Sequence, residues 1–318
     1  MKANLSGALQ AAFIAVLVAA LAAMAVTAHD NLLRQGAATG FGFLFDRTGW
    51  DVGASFIEHS PDKPYWWTFL AGLTNTIVLS VVCIVLATAA GLLLALLGAG
   101  RSRILYGLTR VYVATFRNIP LIVQVFFWYH VTRLLPPVRQ SIELFGCCFL
   151  SNRGLYVPHV GLDFTVTAPR LQGFNFVGGT HLSPEFMAMV AAIVAYNIAF
   201  VAEIFNSGLR AVPRRQIEAA RIIGLSESRI FWSITTPQAV RIAVPPLINQ
   251  YISLTKSSSL AIAIGYTDLF SIGVIAINHT GQAINVIAVL MLVYLCISFG
   301  ISALGNAYNR SLARRGSR

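Results

Sequence analysis

The sequence predicts an all-α fold, a polytopic transmembrane helical bundle of about six spans. Of its 318 residues, 56% are hydrophobic and only 11% are charged, against roughly 25% charged in soluble domains. The charges are also clumped: leaving aside His130 and His279, none falls in residues 3–28, 64–100, 118–132, 186–202 or 269–309. Several of these stretches exceed the ~20 apolar residues that cross ~30 Å of hydrocarbon. The third observation is where the basic residues lie. Arg101, Arg103, Arg110 and Arg117 form one cluster, Arg210, Arg214, Arg215, Arg221, Arg229 and Arg241 a second, and Arg310, Arg314, Arg315 and Arg318 a third. With Lys2 they are accompanied by only two acids, Glu218 and Glu227, whereas residues 29–66 hold three basic and five acidic residues and 133–185 four and three. Positive charge is retained in the cytoplasm during insertion, so the clusters mark inner loops and the balanced segments outer ones. The net charge of +11 records topology: it calls for a lipid bilayer as partner and not for nucleic acid.

The elements follow in order. Span 1 covers about Ala8–Ala28. Lys2, the apolar run and Val26 and Ala28 ahead of His29 also fit a signal peptide, but about 18–20 apolar residues exceed the usual 7–15 of such signals, which favours a retained anchor. Span 2 covers about Thr68–Leu97. Span 3 covers about Ile119–Leu135; Pro120 sits near its start, and its helix can begin earlier, near Leu105, on a partly interfacial segment. Spans 4, 5 and 6 cover about Glu185–Ser207, Val244–Gly265 and Ala283–Asn306, and span 5 is polar for its depth because Lys256 interrupts it. Six crossings put both termini inside. The chain divides into an N-terminal anchor and outer loop (1–66), a membrane domain (67–308) with an outer insert (136–184) and an inner loop (208–241), and a basic tail (309–318). The Gly and Pro content of the insert suggests an irregular surface. Trp50, Trp66 and Trp67 read as interfacial anchors.

Catalytic and metal chemistry finds little support. Cys83 and Cys296 lie in spans as small hydrophobes, and the adjacent Cys147 and Cys148 read as free or packed thiols. No CxxC, HExxH or GxSxG occurs, so neither a metal site nor a serine hydrolase is indicated. A P-loop needs Gly-Lys-Ser/Thr to grip phosphate, yet the only lysines, Lys2, Lys63 and Lys256, follow Met, Asp and Thr. The chain binds no ATP by that motif, and any ATP-driven step belongs to another chain.

The inner loop from Ala211 to Pro237 carries the most information. Pro213 can open a helix, Gly224 can close it in the left-handed conformation, and Ser226 is a good N-cap for a second helix with Glu227 in its first turn. Two short helices at a sharp angle result, the first made thin on one side by Ala219 and Ala220. Physics alone reads this as a basic amphipathic pair on the inner leaflet or as a docking element.

The string Glu218-Ala219-Ala220, then Gly224, then Ile234 and Pro237 resembles the EAA loop of ABC importer membrane subunits, with Thr236 where Leu is usual. Phe116-Arg117-Asn118-Ile119-Pro120-Leu121-Ile122-Val123-Gln124 is similar to the segment entering the third span of polar amino-acid permeases. Ser151–Tyr156, Gly173–Gly179, Gly40–Leu44 and Leu254–Tyr266 look like the general L-amino-acid permease branch. Longer members of that branch carry extra hydrophobic sequence in the outer insert, absent here between Tyr156 and Gly173. The resemblance implies an EAA-type coupling helix on the cytoplasmic side, with Glu218, Ala219, Ala220, Gly224, Ile234 and Pro237 coupling to an ATPase. It implies an ATP-binding subunit pair, a second identical or related permease subunit and a periplasmic amino-acid-binding protein, with L-amino acids moved inward by alternating access. The chain would bind no cofactor directly, ATP-Mg residing on the partner ATPase, and would sit in the bacterial inner membrane.

Polar residues within the bilayer invite functional readings. Lys256, Glu203, Asn249, Gln250, Thr255 and Ser257 are candidates for a pathway or gate. Lys256 can meet a substrate carboxylate, snorkel or pair with Glu203, and pairing or gating is favoured. Asn75, Asn197 and Tyr196 are weaker candidates, since intramembrane Asn most often bonds a neighbouring helix. The runner-up function is a self-contained ion- or proton-coupled amino-acid transporter, and a membrane enzyme comes third.

Overall fold

The computed structural model describes residues 2–34, 40–100, 102–161 and 165–315; Arg101 and Arg318 of the basic clusters lie outside them. The chain is mostly helical. Among the described residues, three helices are long and apolar enough to cross a membrane: α2 (Tyr65–Ala99), α5 (Pro184–Ala211) and the larger part of α10 (Ala283–Arg315). Two bent pairs raise the number to five if each is one crossing. The N-terminal helix α1 (Lys2–Arg34) carries a shorter apolar run, Leu9–Met24, with Phe13 and Val16 exposed.

The first bent pair corrects the expected span 3. α3 (Arg103–Asn118) and α4 (Leu121–Arg133) meet at 102°. The cause is Pro120, which lacks an N–H and pushes Ile119 into extended geometry, φ −81° and ψ 122°. α3 is amphipathic, as its interfacial reading requires. The second pair corrects span 5. α7 (Glu227–Ile230) runs through a π turn at Phe231–Thr235 into α8 (Thr236–Lys256), which tightens into a 3₁₀ segment, Ser257–Ile264. Gly265, at φ +79°, then turns the chain by 52° into α9 (Leu269–Thr280). The π turn lies just before Pro237, whose missing N–H breaks the i−4 ladder.

The core is made where these helices approach closely. α5 lies between α2, α4 and α8, with Leu79, Met189, Ala192, Ile193 and Leu254 buried together. Small residues set the spacing: a Cβ on Gly208 of α5 would sit 2.6 Å from the Ala239 carbonyl oxygen of α8, and one on Gly72 of α2 2.9 Å from Leu269 Cα. A second cluster joins Phe43, Val52 and Tyr65 of the outer loop to Leu269, Ile272 and Val286.

The outer insert departs from both the all-α expectation and the irregular surface. Strands β1 (Ile142–Leu144), β2 (Cys148–Ser151), β3 (Gly154–Val157) and β8 (Thr180–Leu182) form an antiparallel sheet in that order. Two hairpins, β4 (His159–Val160) with β5 (Val166–Thr167) and β6 (Arg170–Gln172) with β7 (Asn175–Val177), are inserted between β3 and β8. The glycines are the reason. Gly146 at φ +71° and Gly173 at φ +65° supply left-handed turn positions between short runs of aromatic and branched residues. Phe149 and Phe176 then stack at 4.7 Å, and Tyr156 and His181 at 4.6 Å. Cys147 and Cys148 are unbridged, their sulfurs 3.7 Å apart.

Candidate functional site

The inner loop folds as its residues dictate. α6 (Arg214–Ile222) follows Pro213, and Gly224 at φ +81° reverses the chain while the Leu225 amide donates to the Ala220 carbonyl. No side chain stands within 4 Å of a Cβ built on Gly224. Glycine is required there by backbone conformation, not by space, since an L-residue in the left-handed region costs about 1–2 kcal/mol. Ser226 occupies the N-cap of α7, but its side chain makes no capping bond. The two helices are fastened instead by Arg221, whose Nε and Nη2 donate to the two Glu227 carboxylate oxygens at 2.7 and 3.1 Å. That carboxylate holds the Arg221 guanidinium above its ordinary pKa. Gln238 Nε2 donates to Gln216 Oε1 at 2.7 Å, tying α6 to α8.

The side chains of this loop divide into two sets. Ala220, Ile230 and Thr235 are buried against the bundle, and Ile234 is half-buried, its carbonyl accepting from Gln238 at 3.1 Å. Glu218, Ala219 and Pro237 are exposed. So are three large apolar residues, Ile222 at 86%, Ile223 at 75% and Trp232 at 58%. Apolar exposure at the tip of an otherwise basic loop marks a contact surface.

The intramembrane candidates fall into separate places. Gln250 of α8 donates to Asn197 Oδ1 of α5 at 2.8 Å, and Asn197 donates to the Ile193 carbonyl at 2.8 Å. This is the helix-to-helix bonding expected of a buried Asn. Thr255 and Ser257 donate back to the Tyr251 and Ser253 carbonyls at 2.9 and 3.0 Å, while Tyr251 pairs with Thr88 of α2 at 2.7 Å. Asn249 and Lys256 are exposed. Among the described residues neither Lys256 nor Glu203 makes an ion pair. Glu203 instead lines a cavity of about 860 Å³ between α3 and the ends of α2 and α5, with Arg110, Arg117 and Arg210.

One feature escaped the sequence reading, and another was ranked too low by it. Asp268 is wholly buried at the N-cap of α9, where it accepts from the Ser271 amide and hydroxyl at 2.9 and 2.7 Å and from Ser258 at 3.2 Å. Its signal was available: it is the only acid after Glu227 and precedes an apolar run. Asn75, also fully buried, donates to the Ala54 and Thr267 carbonyls at 3.1 and 2.8 Å and accepts from the Phe56 amide at 3.1 Å. It fixes the outer loop over the junction of the 3₁₀ segment and α9.

Residues 87–318 match the family described as binding-protein-dependent transport system inner membrane component. The chain belongs to that family. It is 36% identical to the putative amino-acid ABC transporter permease YhdX of Escherichia coli, over 89% of the chain and 88% of the relative. It is 35% identical to the general L-amino acid transport system permease AapQ of Rhizobium johnstonii, over 89% and 86%. Among solved structures its fold is similar to that of an amino-acid ABC transporter crystallised with histidines, at a TM-score of 0.58 and 23% identity over 78% of the chain and 95% of the other. The methionine transporter MetNI follows at 0.55 and 18%, over 78% and 97%. Within this family the exposed inner loop and the polar contacts between α2, α5 and α8 are therefore parts of a transport permease.

Proposed function

We propose that the protein is the membrane-spanning permease subunit of an ATP-driven, binding-protein-dependent importer that moves L-amino acids inward by alternating access. The observation that carries this is the folded-back α6–α7 pair with Ile222, Ile223 and Trp232 exposed at its tip, in a chain alike over most of its length to amino-acid permeases. A self-contained transporter has no use for such a surface.

The mechanism follows from the fastenings. When the ATPase pair closes on ATP-Mg, a helix seated in it is displaced as a rigid body. Arg221–Glu227 and Gln216–Gln238 pass that displacement from α6 to α7 and α8. α8 spans roughly 30 Å at 1.5 Å per residue and ends at Lys256 and the 3₁₀ segment. Pro245 and Pro246 lie inside it, where a missing N–H lets a helix bend. Glu218, Ala219, Ala220, Gly224, Ile234 and Pro237 form the coupling element of this reading. Lys256, Glu203, Asn249, Gln250, Thr255 and Ser257 form its pathway or gate.

The same reading takes α1 as a sixth crossing, places both termini and the Arg-rich loops in the cytoplasm, and keeps the division at residues 66 and 308. It adds a second permease subunit, an ATP-binding pair and a periplasmic amino-acid-binding protein, with no cofactor on this chain. Copurification and uptake in vesicles test it. The expected result is amino-acid uptake that needs ATP and the binding protein; uptake driven by a proton gradient without either overturns it. Lys256→Met separates gating from dispensability, since unchanged uptake removes any essential role for the ammonium.

A further inference from the structure

We infer that the cavity beside α3 binds the phosphate of an anionic phospholipid from the inner leaflet. The inference rests on the inward placement of the Arg-rich loops proposed above. Three arginines, Arg110, Arg117 and Arg210, line this space of about 860 Å³ together with a single acidic residue, Glu203. The balance is positive even with Glu203 ionised. Arg110 lies 5.8 Å from the Tyr106 ring centre and Arg117 5.0 Å from that of Phe200. An aromatic ring engages the flat face of a guanidinium and leaves its five in-plane N–H donors for an oxyanion. Among the described residues none of the three arginines makes an ion pair.

The helix carrying two of these arginines has the orientation a lipid site needs. α3 turns 102° from α4, which lays α3 along the membrane boundary if α4 belongs to a crossing. Arg103, Arg110 and Arg117 recur every seven residues on one flank. Ile104, Leu108 and Val111, 76%, 62% and 65% exposed, occupy another. A helix lying in the interface sinks its apolar side among acyl chains and holds its basic residues at phosphate depth. Basic pockets between helices on the cytoplasmic side take anionic headgroups by this chemistry. A soluble anion would fit the charge but would leave the three apolar side chains without a role.

The test uses the whole complex, both permeases with the ATPase pair, purified into nanodiscs of phosphatidylcholine with graded phosphatidylglycerol. Native mass spectrometry counts the phosphatidylglycerol retained after release. The expected result is selective retention by the wild type and roughly tenfold weaker retention by the double variant Arg110→Gln, Arg210→Gln. Arg110→Lys, which keeps the charge, retains the lipid and controls for misfolding. Equal retention by wild type and double variant overturns the site. Displacement of the lipid by millimolar inorganic phosphate or glutamate also overturns it, in favour of a soluble anion. If the complex still hydrolyses ATP in response to its binding protein while retaining no lipid, the lipid site alone fails. With Cys147 and Cys148 replaced by serine, an Arg103→Cys variant labelled only from outside by an impermeant thiol reagent sinks the sidedness instead.

Discussion

The two ends of the helical bundle are built differently. At the outer end, Asn75 and Asp268 are fully buried, and each satisfies several partners from separate segments: the outer loop at Ala54 and Phe56, the 3₁₀ segment at Ser258, and the start of α9 at Ser271. At the opposite end, Arg221–Glu227 holds α6 to α7 and Gln216–Gln238 holds α6 to α8, both contacts accessible to water. Buried hydrogen bonds are expensive to break because their partners are left unsatisfied, whereas exposed ion pairs contribute little and are screened by salt. The outer end is therefore a latch complete within this chain. The other end exposes an apolar tip, Ile222, Ile223 and Trp232, and is the lever of the proposed coupling.

This contrast can be broken at several points. The largest effect on stability is expected at the latch. Asn75→Leu removes three bonds and strands the Phe56 amide and the Thr267 carbonyl, while the Ala54 carbonyl still accepts from the Thr267 hydroxyl, a loss of about 3 kcal/mol, read as a lower midpoint of thermal unfolding of the purified complex. Association with the ATPase should persist; its loss would show that the ends are not separable. Next comes Gly224→Val, which adds about 1–2 kcal/mol of backbone strain without a steric clash. Its main effect should be functional: assembly retained, uptake lost. A Gly208→Val change, at the end of α5 beside the lever, sharpens the comparison, because the added side chain meets the Ala239 carbonyl and must separate α5 from α8. It should lower both stability and uptake, whereas Gly224→Val lowers uptake alone. The smallest effect is expected for Arg221→Gln, which loosens α6 from α7; a modest fall in uptake should shrink further against wild type as salt is raised. A salt-independent loss would mean that the pair acts as more than a surface fastening.

How much of this was legible depended on which force set each element. The long crossings were, because ~20 charge-free residues have few other fates, and α2 and α5 lie within a few residues of the expected bounds. The left-handed turn at Gly224 was legible too, since Gly followed by Ser-Glu has a local stereochemical meaning. The 102° bend at Pro120 was only half visible: the proline marked a break, but its angle depends on where α3 packs. The outer sheet was missed because its strands are three or four residues long and gain stability from the stacked Phe149, Phe176 and Tyr156, which lie far apart in sequence. The Lys256–Glu203 pair, one of the options for Lys256, is not formed; Glu203 lines a cavity with three arginines. Asn75, a weaker candidate in the sequence, owes its role to bonds with Phe56 and Ala54, 19 and 21 residues away, and with Thr267, 192 residues away, and Asp268 owes its role to a tight cap that left a trace in the sequence.

The central claim is that a partner ATPase drives this permease through the α6–α7 lever. The most direct test is the ratio of amino acid taken up to ATP hydrolysed in proteoliposomes of the whole complex, compared between wild type and Gly224→Val. The account predicts continued hydrolysis with uptake reduced at least about tenfold. Uptake at the wild-type ratio in that variant would contradict it.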